Sequence, residues 1–448
     1  MRIAGFILAI MIAASSAAKV VYMSAGGSDA GDGSIRNPYA TLPAAYKDIE
    51  GGDTICVRGG RYYVDDSQVM KIVASYAYVF ALEKAGTAEH RTCIMGYPAE
   101  RPVFDFSALQ MGGKYRFAAF YLGADYLHLK NFDIVGVPVR IKGHTQSECV
   151  SARRGSHCIV ENLAMHDNMA IGYYQLAGEC NLVLNCDAYN NYDDFSEGEY
   201  GGNVDGFGCH IRNVKHKGNA FRFCRAWRNS DDGFDLINCD TPVEFDHCWA
   251  FYNGFKPTEN PSDTVTFVSA GDGNGFKAGG FGMGPKTKCP PDCPEHYIHD
   301  CLAYRNKANG IYSNHHLGGN RWENNVSVMN RRDNYNMVNR KGRNAEGKVD
   351  VPGYGHVLKN NVSFRPGKSH ISNVDEEKSV MEGNSFQNDR QLTGADFESV
   401  QESLLFVPRD ADGYLPDTKL FKIKKLNFRK LSRREVKKLK KLKKLRRY

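Results

Sequence analysis

One six-residue pattern recurs through the middle of the chain. Cys186-Asp-Ala-Tyr-Asn-Asn191 returns as Cys224-Arg-Ala-Trp-Arg-Asn229, Cys248-Trp-Ala-Phe-Tyr-Asn253 and Cys301-Leu-Ala-Tyr-Arg-Asn306, and more weakly as Asn325-Val-Ser-Val-Met-Asn330. Two of the intervals, 224 to 248 and 301 to 325, are 24 residues. Weaker copies near Asn162 and Asn384 keep a similar spacing. Self-similarity with a period of about 20–50 residues means a solenoid or an array. A helix pair does not fit this period, because short β-branched and aromatic runs alternate with Asn, Asp and Gly. The expected fold is therefore all-β: a single-stranded parallel β-helix whose coils stack through strand hydrogen bonds. Equivalent residues of successive coils then lie about 4.8 Å apart.

Stacking turns the repeat into columns. Of the 33 Asn, 30 fall between Asn162 and Asn388, and the repeat explains the clustering. Asn191, Asn229, Asn253, Asn306 and Asn330 form an amide ladder at a bend. Cys186, Cys224, Cys248 and Cys301 share one inward slot, which argues for small core residues rather than metal or redox ligands. Ala40 to Ile49 can form one amphipathic helix after Pro38, capping the open end of the solenoid as terminal units must. Thr54 to Arg58 is then the first strand. Residues 19–415 make one domain of roughly ten coils at about 23 residues per coil.

The chain ends are set apart from this domain. Met1-Arg2, the apolar run Ile3 to Ala14 and the small residues Ser16-Ala17-Ala18 have the layout of a secretory signal peptide, 1–18. The run is too short for a membrane span of about 20 residues. Secretion is expected, to the cell surface, periplasm or medium, and it permits disulfides. Among 13 Cys, Cys289-Pro-Pro-Asp-Cys293 is read as a local disulfide rather than a zinc site, lacking a second ligand pair nearby. Residues 416–448 form a basic tail. From 419 onward it carries sixteen Lys or Arg and one acid. That +15, set against the whole-chain +7, leaves the remaining residues at −8. The tail is either a basic amphipathic helix or disordered, and it suits a polyanion or an anionic cell surface.

The second half of each coil carries chemistry. Asp205-Gly-Phe-Gly208, Asp232-Gly-Phe-Asp235, Asn274-Gly-Phe-Lys277 and Asn309-Gly-Ile-Tyr312 align. Strand alternation points Phe207, Phe234, Phe276 and Ile311 inward. Gly208, Asp235, Lys277 and Tyr312 then form one outward column, with Asp205, Asp232 and Asn274 in a second column at the bend. Asp231 precedes Asp232. Four carboxylates converge: Asp205, Asp231, Asp232 and Asp235. So many negative charges are unfavourable without a cation, and clustered Asp oxygens suit calcium with its 6–8 oxygen ligands. Lys277 lies one coil from Asp235, where a metal's field would lower its pKa. The alternative is a set of turn aspartates with a solvated lysine partner. Long loops crowd these coils: Asp205 follows Asn191 by 14 positions, Asn274 follows Asn253 by 21, and Phe281 to His296 is a third. Asn253-Gly-Phe-Lys256 imitates the Lys277 tetrad, but Asn253 already fills the ladder slot. Arg222, Arg225, Arg228 and Arg305 lie near the site columns as unranked substrate cations.

Three motifs in order carry a resemblance: Asn203-Val-Asp-Gly-Phe207, Asn229-Ser-Asp-Asp-Gly-Phe-Asp-Leu236 and Gly273-Asn-Gly-Phe-Lys-Ala-Gly-Gly280. Together they resemble the pectate lyases of polysaccharide lyase family 9. The opening Tyr22-Met-Ser-Ala-Gly-Gly-Ser-Asp29 and Gly52-Asp-Thr-Ile-Cys-Val-Arg-Gly-Gly60 is similar to the start of many β-helix proteins. The resemblance covers about residues 20–390. It implies a right-handed helix, a calcium site at Asp205, Asp231, Asp232 and Asp235, and a catalytic base at Lys277. It further implies β-elimination on polygalacturonate: calcium acidifies the C5 proton, Lys277 removes it, and a 4,5-unsaturated oligogalacturonide leaves. The expected partner is an acidic polysaccharide, with no nucleic acid and no membrane span, and a monomer suffices. A hydrolytic polygalacturonase is disfavoured. Its Gly-His-Gly is absent, and Arg140-Ile-Lys142 lies upstream of the Asp motifs. A lyase on another uronate polymer, a non-catalytic carbohydrate-binding solenoid and a tail-anchored surface protein are the other readings.

Overall fold

A computed structural model describes residues 18–196, 201–256, 270–281, 290, 292–342, 348–388, 390–410 and 413–424. Residues 1–17, Cys289 and 425–448 lie outside these, so the signal peptide, the Cys289–Cys293 pairing and most of the tail's basic run do too. Two compact units divide between residues 388 and 389. The first is the β-helix. The second holds short 3-10 turns at Gly394–Asp396 and Glu402–Phe406 and bridges from Phe397 to Ile423 and from Ser399 to Leu420.

Three long sheets, of 12, 10 and 11 strands, run the length of the first unit, and almost every pairing is parallel. Each coil contributes one short strand to each sheet. The opening differs from the sequence expectation in one respect. β1 (Val20–Met23) precedes the capping helix α1 (Leu42–Asp48), and β2 (Thr54–Val57) pairs parallel with it as the second strand. Val21 and Met23 are buried, so this strand is part of the solenoid. Thr41 caps α1 by accepting from the Ala44 amide at 3.4 Å, Pro43 stands in its first turn, and Leu42, Ala45 and Tyr46 face the core.

The ladder forms as spaced. Each amide donates from Nδ2 to the next Oδ1: Asn191 to Asn229 at 2.9 Å, Asn229 to Asn253 at 3.1 Å, Asn253 to Asn306 at 3.0 Å and Asn306 to Asn330 at 3.0 Å. Asn168 extends it at one end and Asn334 at the other. All are essentially inaccessible, so each satisfied amide avoids the cost of an orphaned buried group. The Cys slot behaves as core: Cys186, Cys224, Cys248 and Cys301 are buried, with each Sγ near a backbone carbonyl at 3.4–3.6 Å. The Ala of the repeat has its own cause. A Cβ on Gly206 would lie 2.8 Å from the Ala226 methyl, and one on Gly233 would lie 2.9 Å from Ala250. Ala and Gly columns thus face each other across the coil at contact distance.

Candidate active site

The 11-stranded sheet carries the site. Its strands Phe207–Cys209, Phe234–Asp235, Phe276–Lys277 and Ile311–Tyr312 pair in register, matching Gly208 to Asp235, Asp235 to Lys277 and Lys277 to Tyr312. The inward partners set that register. Phe207, Phe234 and Phe276 stack at centroid separations of 5.0 and 4.9 Å, a spacing that bulky rings hold only in alignment. A one-residue slip would turn every Phe outward and every Asp inward.

The bend column is a second hydrogen-bonded ladder. The Asp232 amide donates to Asp205 Oδ1 at 3.1 Å, the Asn274 amide to Asp232 Oδ1 at 2.6 Å, and the Asn309 amide to Asn274 Oδ1 at 3.2 Å. Asp231 accepts the amide of Asp272 at 2.6 Å. Two Gly follow Lys277 for steric reasons: both have positive φ, and a Cβ on Gly279 would sit 2.4 Å from His316 Nδ1.

All five sequence-derived residues meet here. Ligand atoms of Asp205, Asp231 and Asp232 lie within 4.8 Å of one another, as do those of Asp205, His210 and Asp235. Lys277 Nζ is 3.0 Å from Asp232 and 3.2 Å from Asp235. The four aspartates and Lys277 are buried. Burial first, and then the neighbouring carboxylates, push Asp205 and Asp232 upward, and Asp231 up to about 8. The lysine runs opposite to the sequence expectation. Burial disfavours its charge, but Asp232, Asp235, Asp231 and Asp205 outweigh burial and raise its pKa. Among the described residues its ion-pair partners are all aspartates, so Lys277 is their counter-ion.

Two participants were not read from the sequence. His210 is half-buried, desolvation lowers its pKa, and its inaccessible Nε2 has no hydrogen-bond partner among the described residues. Asp272 comes from the long insertion, and its Oδ2 stands 3.9 Å from Lys277 Nζ. Two of the four arginines are engaged on sheets other than the one that carries the site. Arg222 pairs with Glu244 on the 12-stranded sheet, and Arg225 pairs with Asp187 on the 10-stranded sheet, both at 2.7 Å. Arg228 and Arg305 occupy the positive-φ positions just before the ladder Asn. Lys256, the decoy, lies over the Tyr192 ring at 5.4 Å.

Residues 21–348 match the family model described as Pel9A-like, right handed beta helix region. The chain belongs to this family. Pectate lyase L of Dickeya chrysanthemi is 31% identical over 91% of the chain and 84% of its own length. Pectate lyase PEL9 of Emericella nidulans is 28% identical over 88% and 89%. Among solved structures, a rhamnogalacturonan lyase is 42% identical with a TM-score of 0.85, covering 91% of this chain and 97% of that one. Pectate lyase Pel9A is 28% identical with a TM-score of 0.66, covering 92% and 90%. Membership in the Pel9A-like family settles the right-handed twist of the solenoid.

Proposed function

We propose that this polysaccharide lyase cleaves a galacturonate-containing polymer by β-elimination, with Lys277 as the base and Asp205, Asp231, Asp232 and Asp235 holding calcium. The observation that carries this reading is the Lys277 ammonium held at 3.0–3.2 Å by two members of a buried carboxylate cluster. The cluster fits a hard divalent cation: its carboxylates are desolvated and mutually repelling, and the buried Nε2 of His210 lacks a partner beside Asp205 and Asp235. Calcium there would neutralise the aspartates and withdraw charge from a substrate carboxylate.

The protein's own residues do the rest. Lys277 can act as a base only in its neutral form, so the charge that now holds its proton must be compensated. Once neutral, its Nζ lies on the outward face with reach to a C5 proton of a sugar lying along the column. The C5–H electrons become the C4=C5 bond, the C4–O bond breaks, and the new non-reducing end is unsaturated. No water is consumed.

Polygalacturonate is the substrate that the sequence motifs favour, and the curated relatives carry the name pectate lyase. A second backbone is favoured by the 42% identity to a rhamnogalacturonan lyase over nearly its whole length. Both polymers present a galacturonate C5 proton beside a carboxylate, and they differ in the sugar on either side. Purified protein is therefore incubated with each polymer, and the ultraviolet absorbance of the unsaturated product is followed. Growth on either one supports the lyase reading and names the backbone; absorbance on neither refutes it.

Export through Met1–Ala18 and retention on polyanions by the basic tail complete the proposal. No described helix is long and apolar enough to cross a membrane. Deleting 419–448 should weaken retention on pectate gels, and unchanged retention removes that role for the tail.

A further inference from the structure

Elimination needs a second proton transfer. The departing oxygen leaves C4 with an electron pair, and an unassisted alkoxide is a poor leaving group. A positioned acid is worth roughly 10²–10⁴-fold. The aspartates are committed to the cation, and Lys277 receives the first proton.

The next residue in the outward column is Tyr312, the strand partner of Lys277 one coil on. Its Oη is 2.9 Å from His315 Nε2, and His315 Nδ1 is 2.6 Å from Asp350 Oδ1. Asp350 belongs to the short strand Asp350–Val351, which is clamped antiparallel to Asn339–Arg340. Three residues from two separate parts of the chain thus form one hydrogen-bonded line ending in a phenol. Tyr312 also lines a cavity of about 320 Å³, together with Asp272, Asn274, Lys307, Asn309 and Arg332. The cavity adjoins the base, because Asp272 faces it and also stands 3.9 Å from Lys277 Nζ. Lys307 donates to the carbonyls of Ala270 and Gly271, which fixes the segment that carries Asp272. Burial pushes Tyr312 up to about 12, so the phenol keeps its proton at neutral and mildly alkaline pH.

We propose that Tyr312 protonates the departing glycosidic oxygen, with His315 and Asp350 as positioning residues that orient the phenol and return its proton. This rests on the β-elimination reading above. The balance closes. The C5 proton goes to Lys277, and its electron pair becomes the C4=C5 bond. The C4–O pair leaves on oxygen, which takes the Tyr312 proton. The phenolate regains a proton through His315 from solvent, and Lys277 returns one to solvent. A phenolate is a far weaker base than an alkoxide, so the transfer runs downhill.

The test uses full-length protein in deuterated water, on whichever polymer the wild type converts. Tyr312→Phe removes only the hydroxyl and keeps the ring. Its kcat should fall 100-fold or more, with KM within threefold. Recovered substrate should carry deuterium at C5, because abstraction by Lys277 then outruns expulsion. Lys277→Ala should give no exchange. His315→Gln should lose about tenfold in kcat while melting like the wild type. A Tyr312→Phe enzyme within threefold of wild-type kcat overturns the proposal. So does a large loss without C5 deuterium, which would make Tyr312 a substrate-positioning side chain. A wild type that forms no unsaturated product refutes the lyase reading and this proposal with it. A wild type that eliminates alongside an unimpaired Tyr312→Phe refutes the proton donor alone.

Discussion

Replacing Lys277 with alanine should destabilise the calcium-free protein far more than the calcium-loaded one. The Lys277 side chain is 11% exposed, and its partners Asp232 and Asp235 are 0% and 6% exposed. Removing one member of a buried ion pair leaves an uncompensated charge and costs about 3–5 kcal/mol. The β-helix unit spans about 370 residues, and at roughly 2.1 cal/mol/K per residue its unfolding entropy is about 0.8 kcal/mol/K. The expected loss in Tm is therefore about 4–6 °C in chelator. A raised lysine pKa contributes stability that is full below 10.5 and fades as pH rises through the folded value. The melt therefore belongs at about pH 9, above the value near 8 for Asp231 and below the lysine range. In calcium the cation supplies the missing charge, and the deficit should shrink below about 2 °C. Lys277 also sits on Asp232 and Asp235, two of the proposed ligands, so calcium should bind the alanine variant at least as tightly in titration calorimetry. Lys277→Arg is the control: it keeps the charge and the melting temperature but has no accessible neutral form. Equal losses in chelator and calcium, or no loss in chelator, would show that Lys277 is not the counter-ion of this cluster.

Three further outcomes are expected. With calcium present, kcat should rise into alkaline pH as Lys277 loses its proton, and a pH–rate profile that is flat or favours acid would remove it as the base. Asn253→Ala takes the acceptor from the Asn229 amide and the donor from Ala226 O and Asn306 Oδ1. At about 1–3 kcal/mol per buried orphan it should cost about 2–5 kcal/mol in denaturant unfolding, whereas a loss under 1 kcal/mol would mean that the ladder is dispensable. Burial lowers His316 to about 4 and His356 to about 3. The unfolded chain takes up protons near pH 6.5, so stability is full above that pH and falls below it. Each histidine's slope approaches about 1.4 kcal/mol per pH unit below pH 6.5, and these two should account for a loss of about 3 kcal/mol in urea unfolding between pH 6.5 and 5. His356→Gln should flatten that slope by one histidine's share, and an unchanged slope would contradict its burial in the neutral form.

The columns were legible because a coil converts sequence offset into spatial register. Once Cys186, Cys224, Cys248 and Cys301 align, Asn191, Asn229, Asn253 and Asn306 must align too at the same offset; the tetrads from Asp205 to Asn309 follow loops of unequal length and align through their own Asp/Asn-Gly pattern, and strand alternation assigns Lys277 and Asp235 to one face. What lay outside that arithmetic came from segments without the period. Asp272 sits in an insertion, and Asp350 reaches His315 from a hairpin that belongs to no coil. His210 follows its tetrad by two residues, where alternation gives the outward face but not the turn back toward Asp205. Arg222 and Arg225 left the site columns because adjacency in sequence crosses a bend: they are three residues apart and lie on different sheets. The ionisation of Lys277 depends on whether four carboxylates find their charge in a metal or in the lysine, which spacing alone does not decide.

The most direct measurement counts olefins against new reducing ends on polygalacturonate and on rhamnogalacturonan, for the wild type and Lys277→Ala, in calcium and in chelator. Elimination at this site predicts one unsaturated end per new reducing end, formed by the wild type only with calcium and by Lys277→Ala in neither condition. Reducing ends without olefin, or olefin formation that survives the loss of Lys277, would contradict it.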